Sequence, residues 1–237
     1  MTTLTEPVIE LSGVAKTFTL HQQQGTELPV LAGVNLLVAP GECLVLDGPS
    51  GQGKSTLLKL IYANYLASAG HIVLRVPGAP ALDVGSAEPR ELVQMRRDSV
   101  GYVSQFLRVI PRVPALDVVA EPLLQSGMDE AVARERAAEW LSRLRIPQAL
   151  WGLPPATFSG GEQQRVNIAR NMIRRRALLL LDEPTASLDA HNTETVIALI
   201  REALVEGTAV IGIFHDRAVG EAVATRHLDV THYRKPA

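Results

Sequence analysis

Glu42-Cys43-Leu44-Val45-Leu46-Asp47, running into Gly48-Pro49-Ser50-Gly51-Gln52-Gly53-Lys54-Ser55-Thr56, decides the fold. The first half is a dense apolar run opened by Gly41, the pattern of a strand buried on both faces. It stops at a glycine-rich turn. From Lys54 onward Leu57, Leu58, Ile61 and Tyr65 recur at helical spacing and predict a helix over 54–66. Residues 48–56 fit G-x-x-x-x-G-K-[ST] in the setting that motif needs, after a strand and at a helix start. Its glycines let backbone N–H groups wrap a polyphosphate, and the helix N-terminus adds a favourable dipole. Lys54 would then reach the β- and γ-phosphates, and the Ser55 hydroxyl would ligate Mg²⁺.

Two further stretches belong to the same chemistry. Leu178-Leu179-Leu180-Leu181-Asp182-Glu183-Pro184 is an apolar strand ending in carboxylates. Asp182, at the strand exit, is placed to hold the Mg²⁺ shell, and Glu183 to act as general base on the attacking water. Phe158-Ser159-Gly160-Gly161-Glu162-Gln163 leads into a helix and forms a second anion cradle. A single chain has no need of two cradles for one nucleotide. A head-to-tail dimer does, each nucleotide held between one chain's loop and the other chain's cradle.

The rest of the chain supports an α/β reading. Short strands over 8–11, 14–20 and 30–38 suggest an N-terminal antiparallel portion. An amphipathic helix is expected over 131–144, and 106–170 reads as a helical lobe set into a nucleotide-binding core of 1–105 and 171–237, all one domain of 1–237. Helix 163–175, strand 178–181, helix 193–204 and strand 208–214 alternate, which implies a parallel sheet with ligands at the strand carboxyl ends. Arg174-Arg175-Arg176 reads as the solvated end of a helix. With 237 residues, 46% apolar and 20% charged, the chain has ample material for a core. No apolar run approaches the ~20 residues of a membrane span, and the N-terminus lacks a secretory pattern. The one cysteine, Cys43, excludes a disulfide framework, and a cytoplasmic location fits. A net charge of −2 leaves no general basic excess for nucleic acid.

The ordered motifs resemble those of ATP-binding-cassette (ABC) ATPases from Phe18 to His215. Position by position, the resemblance implies that Phe18 stacks on adenine and that 48–56 is the Walker A loop. On the same resemblance Gln105 would sense the γ-phosphate and contribute to the metal shell, and Ser159, Gly160 and Gly161 match the signature. Asp182 and Glu183 resemble Walker B and the catalytic base, Ser187-Leu188-Asp189 the loop crossing the dimer seam, and His215 the switch histidine. Phe158 departs from the leucine common at that place, an apolar swap outside the cradle. The resemblance implies ATP and Mg²⁺ as cofactors, and a homodimer or a dimer with a second ABC subunit. A coupling partner would dock beside 106–124.

The fold leaves the use of ATP open. Segments 21–31, 62–66, 101–119, 157–170 and 212–216 resemble the L-subunit family of the bacterial phosphonate carbon–phosphorus lyase system. That resemblance implies a soluble assembly with the G, H, I, J and K proteins, supporting formation of ribose 1-phosphonate 5-triphosphate from ATP and phosphonate. Two alternatives stand beside it: the ATPase subunit of a transporter of lipoprotein-release or macrolide-export type, and a nucleotide-dependent scaffold with little turnover.

Overall fold

A computed structural model describes residues 6–20, 25–105 and 111–234. Strands β1 (Ile9–Leu20), β2 (Thr26–Val38), β4 (Ala69–Leu74) and β5 (Leu82–Asp83) make an antiparallel sheet in the order β2-β1-β4-β5. Register shifts around Ser12 and Gly13 explain why β1 reads from sequence as two strands: a bulge interrupts its alternation.

The second sheet is parallel throughout, ordered β6-β7-β8-β3-β9, with β3 (Cys43–Asp47), β6 (Val100–Val103), β7 (Leu178–Asp182), β8 (Ala209–Ile213) and β9 (Arg226–Asp229). Side chains alternate across it. Leu44, Leu46, Leu178, Leu180 and Ile211 join one core with α1 (Lys54–Ile61) and the antiparallel sheet. Cys43, Val45, Leu179, Leu181 and Val210 join another on the opposite face. There they meet α3 (Ala115–Leu124), α4 (Glu130–Arg143), α5 (Gly160–Met172) and α6 (Ala190–Val205). Burial on both faces is why these strands read as unbroken apolar runs. Burial also pushes the Cys43 thiol up to about 12, aided by the Glu42 charge, so it is inert as a nucleophile.

Several expectations need correction. The helix placed over 54–66 ends at Ile61, and Ala63 then takes a left-handed φ of 60°. The helix expected from 163 starts at Gly160, and the one expected from 193 starts at Ala190. Arg174, Arg175 and Arg176 lie past the end of α5, and of the three only Arg175 is exposed. Arg174 pairs with Asp98 at 3.1 Å, in α2 (Pro89–Asp98), and Arg176 is buried with its Nη1 on the Arg97 carbonyl. Burial, with Arg174 close by, pulls Arg176 down to about 10. Phe106 and Arg108 of the expected docking segment lie outside the described residues.

Candidate functional site

Because β6, β7, β8 and β3 are neighbours and parallel, their carboxyl ends share one edge of the sheet. That edge gathers what the chain keeps far apart: Gln105 beyond β6, Asp182 and Glu183 at the end of β7, His215 beyond β8, and residues 48–56 after β3. Here the glycine loop turns into α1 through Gly53, at φ 93°, where a Cβ would come within 2.9 Å of Leu31. Only glycine serves both demands. Alone among the described α-helices, α1 has neither a side-chain cap nor an acidic residue in its first turn. Its free N–H groups and positive dipole end therefore face the loop, ready for an anion. Lys54 folds back over that loop, its Nζ donating to the Pro49 carbonyl at 2.9 Å and to that of Gly48. Pro49, Ser50 and Gly51 are exposed at the loop's crest, while Gln52 and Thr56 are half-buried.

Asp182 is buried at 8% exposure, yet both its oxygens are engaged. Ser55 Oγ donates to Oδ1 at 3.0 Å and the Tyr102 hydroxyl to Oδ2 at 2.9 Å. One carboxylate and one hydroxyl suit Mg²⁺, which takes one or two protein oxygens and completes its shell with phosphate and water. Glu183 follows at φ 53°, its N–H donating to the Ile213 carbonyl at 3.0 Å. Such a left-handed glutamate is strained, and strain of this kind concentrates at functional sites. Gln105 Nε2 donates to Glu183 Oε2 at 3.3 Å. A base and an amide that can orient water thus sit together.

The second cradle has different neighbours. Ser159 caps α5 in a reciprocal box with Glu162: its N–H and hydroxyl donate to Glu162 Oε2 at 2.9 and 2.7 Å. Those bonds hold the Glu162 carboxyl below its ordinary range. The two glycines answer to separate constraints. A Cβ on Gly160 would meet nothing within 4 Å, so this backbone is open to an approaching group. On Gly161 it would come within 2.8 Å of the Ser187 carbonyl, in the loop that Asp189 closes as N-cap of α6. Gly161→Ala is therefore expected to cost about 1–3 kcal/mol and lower the melting temperature by ~2–10 °C. Gly160→Ala should leave it unchanged. Thermal melts of the two variants check this.

Phe18 is half-buried in β1, edge-on to Tyr65 with centroids 5.2 Å apart, and the Lys16 ammonium lies 4.7 Å from its ring centre. His215 is exposed beside a cavity of ≈ 640 Å³ that Asp47, Asp216 and His227 also line. Sequence reasoning missed Tyr102, Gln164 and Asn167. Gln164 donates to the Pro184 carbonyl at 3.2 Å and Asn167 to that of Ser104 at 2.8 Å, so α5 is tied to the loops carrying Glu183 and Gln105. Their signal was a polar pair, three residues apart, on the buried face of a helix.

A protein-family model described as ABC transporter matches residues 31–186. The lipoprotein-releasing system ATP-binding protein LolD of Maricaulis maris (strain MCS10) is 39% identical over 210 residues, 88% of this chain and 88% of that protein. The macrolide export ATP-binding/permease protein MacB of Marinobacter nauticus (strain ATCC 700491 / DSM 11845 / VT8) is 36% identical. There the match spans 94% of this chain but only 33% of that protein. The dimeric post-hydrolysis structure of the ATP-binding cassette MJ0796 bound to ADP and Pi superposes with a TM-score of 0.83. It is 29% identical, and the match covers 94% of this chain and 95% of that one. Nothing in these likenesses points to the phosphonate C–P lyase L subunit, so that expectation gains no support from them. The antiparallel sheet, the parallel sheet with its helices and these matches together establish that the chain belongs to the ABC transporter family, as one of its ATP-binding, ATP-hydrolysing cassettes.

Proposed function

We propose that this cassette is the motor of a transport machine of lipoprotein-release or macrolide-export type, acting as a pair of cassettes on a separate membrane protein. The observation that carries the motor reading is the shared sheet edge: an uncapped helix N-terminus, the Ser55–Asp182 pair and the Glu183–Gln105 pair lie side by side. Lys54 and the α1 N–H groups bind the β- and γ-phosphates. Ser55 and Asp182 hold Mg²⁺, which when bound offsets triphosphate charge. Water attacks the γ-phosphorus, Glu183 takes its proton, and the bond to the bridging oxygen breaks to give ADP and phosphate. Gln105 and His215 orient water and γ-phosphate, and Phe18 packs on the adenine. Ser159 and Gly160 of the opposing cassette close over the γ-phosphate, with Asp189 at the seam.

Two features favour a membrane partner. The similar MacB joins ATP-binding and permease functions in one chain, of which the match covers a third. The similar LolD is the ATP-binding protein of a lipoprotein-releasing system. Participation in a soluble C–P lyase assembly is the second reading, favoured by segments 21–31, 62–66, 101–119, 157–170 and 212–216, which include loops that ATP chemistry does not dictate. Affinity capture of the tagged chain decides between them. From mild-detergent extracts, a co-purifying polytopic membrane protein is the expected result. Recovery of soluble phosphonate-pathway subunits, without any membrane protein, would overturn the transport reading.

A further inference from the structure

Asp182 has a second hydrogen-bond partner that the motifs do not include. Tyr102 lies on β6 opposite Leu180 of β7, and its hydroxyl donates to Asp182 Oδ2 at 2.9 Å, while Ser55 holds Oδ1. Both ends of Tyr102 are fixed. Its backbone N–H donates to Asn171 Oδ1 at 3.2 Å, and its ring packs on Tyr62 with centroids 5.0 Å apart. Tyr62 is covered in turn by the Arg96 guanidinium, 5.2 Å from its ring centre, which is anchored on the Tyr62 and Ala63 carbonyls at 3.0 and 2.7 Å.

We infer that Tyr102 is a positioning residue for the metal-binding carboxylate: by occupying Oδ2 it turns Oδ1 toward Ser55 and the cation. An anion held at one oxygen only, at the end of a strand, would swing about its Cβ–Cγ bond. A neutral donor on a braced ring removes that freedom without competing for the metal. Partners of this kind behind a ligating carboxylate affect metal affinity by roughly 10–100-fold. The inference rests on the assignment of Asp182 to Mg²⁺.

The test is calorimetric ATP affinity with Mg²⁺ and with chelator, in a Glu183→Gln background so that no turnover occurs. Adding Tyr102→Phe, which removes one oxygen and keeps the ring, should leave Mg²⁺-free affinity within twofold and shrink the Mg²⁺-dependent gain about tenfold. An undiminished gain overturns the inference. So does an equal loss of affinity with chelator, because disturbance of the whole nucleotide site, and not of the metal shell, would then account for the effect. Adding Asp182→Asn instead separates the two levels. If it abolishes the gain while Tyr102→Phe does not, only the positioning role fails. If it changes nothing, the metal assignment itself fails.

Discussion

Glu183→Gln is expected to bind ATP with unchanged or tighter affinity, to lose turnover by about 10²–10⁴-fold, and to accumulate as a closed dimer with ATP. The substitution is nearly isosteric, and an amide oxygen can still accept the bond that Gln105 Nε2 now gives to Glu183 Oε2. The N–H bond to the Ile213 carbonyl belongs to the backbone and is untouched. Only proton acceptance is lost, together with one negative charge that, on the proposed function, would face the triphosphate. The first change stops water activation and the second favours nucleotide retention, so binding and turnover should move apart. Steady-state phosphate release and size-exclusion chromatography with ATP read the two effects separately. Near-normal hydrolysis would remove Glu183 from the base role, leaving only a strained loop residue.

Lys54→Ala carries the other large effect: ATP affinity should fall by roughly 100-fold, about 3 kcal/mol. The Lys54 ammonium spans the loop mouth on the Pro49 and Gly48 carbonyls and has no carboxylate among its hydrogen-bond partners. Triphosphate oxygens offer a better acceptor than those carbonyls, and charge-assisted bonds to them are worth more than the ones exchanged. The α1 N–H groups remain in the variant, so a residual weak affinity is expected. Folding should be preserved, because α1 is anchored by buried Leu57, Leu58, Leu60 and Ile61. Calorimetry measures the affinity and a thermal melt the fold. Unchanged ATP binding would mean the triphosphate is held elsewhere.

The readable parts of this chain were those whose signal is local. The β3–loop–α1 unit and the Leu178–Asp182 strand showed themselves through glycine placement and apolar runs that only a sheet covered on both faces requires. Helix α3 was unreadable because Pro114 precedes it and Pro122 sits inside it, so the pattern breaks where a helix should be uninterrupted. Strand β9, Arg-His-Leu-Asp, is an edge strand carrying charge, which hides it as a strand while protecting the sheet from further pairing. Arg176 misled because a run of arginines suggests solvent. Its burial depends on the Arg97 carbonyl, 79 positions away.

The candidate site divides along the same line. Lys54, Ser55, Asp182 and Glu183 could be assigned from spacing, whereas the Tyr102–Asp182 bond joins residues 80 positions apart across two strands and has no sequence pattern. The signature glycines were read as one cradle, and the space beside them differs: a Cβ on Gly160 would meet nothing within 4 Å. Gly161 is small because the Ser187 carbonyl lies against it. That distinction arises from a tertiary contact, and no single-sequence pattern encodes it. The finer assignment to a phosphonate system rested on five short segments, motif stretches and loops together, and the whole-chain likeness to LolD and MacB outweighs it.

The central claim is that ATP binding brings the open Ser159–Gly160 backbone of one cassette onto the triphosphate held by the Lys54 loop of another. A crystal structure of the Glu183→Gln variant with Mg²⁺ and ATP tests it directly. The account predicts a head-to-tail dimer with the partner's 159–160 segment within hydrogen-bond distance of the γ-phosphate. Two cassettes with nucleotide bound and that segment left in solvent would contradict it.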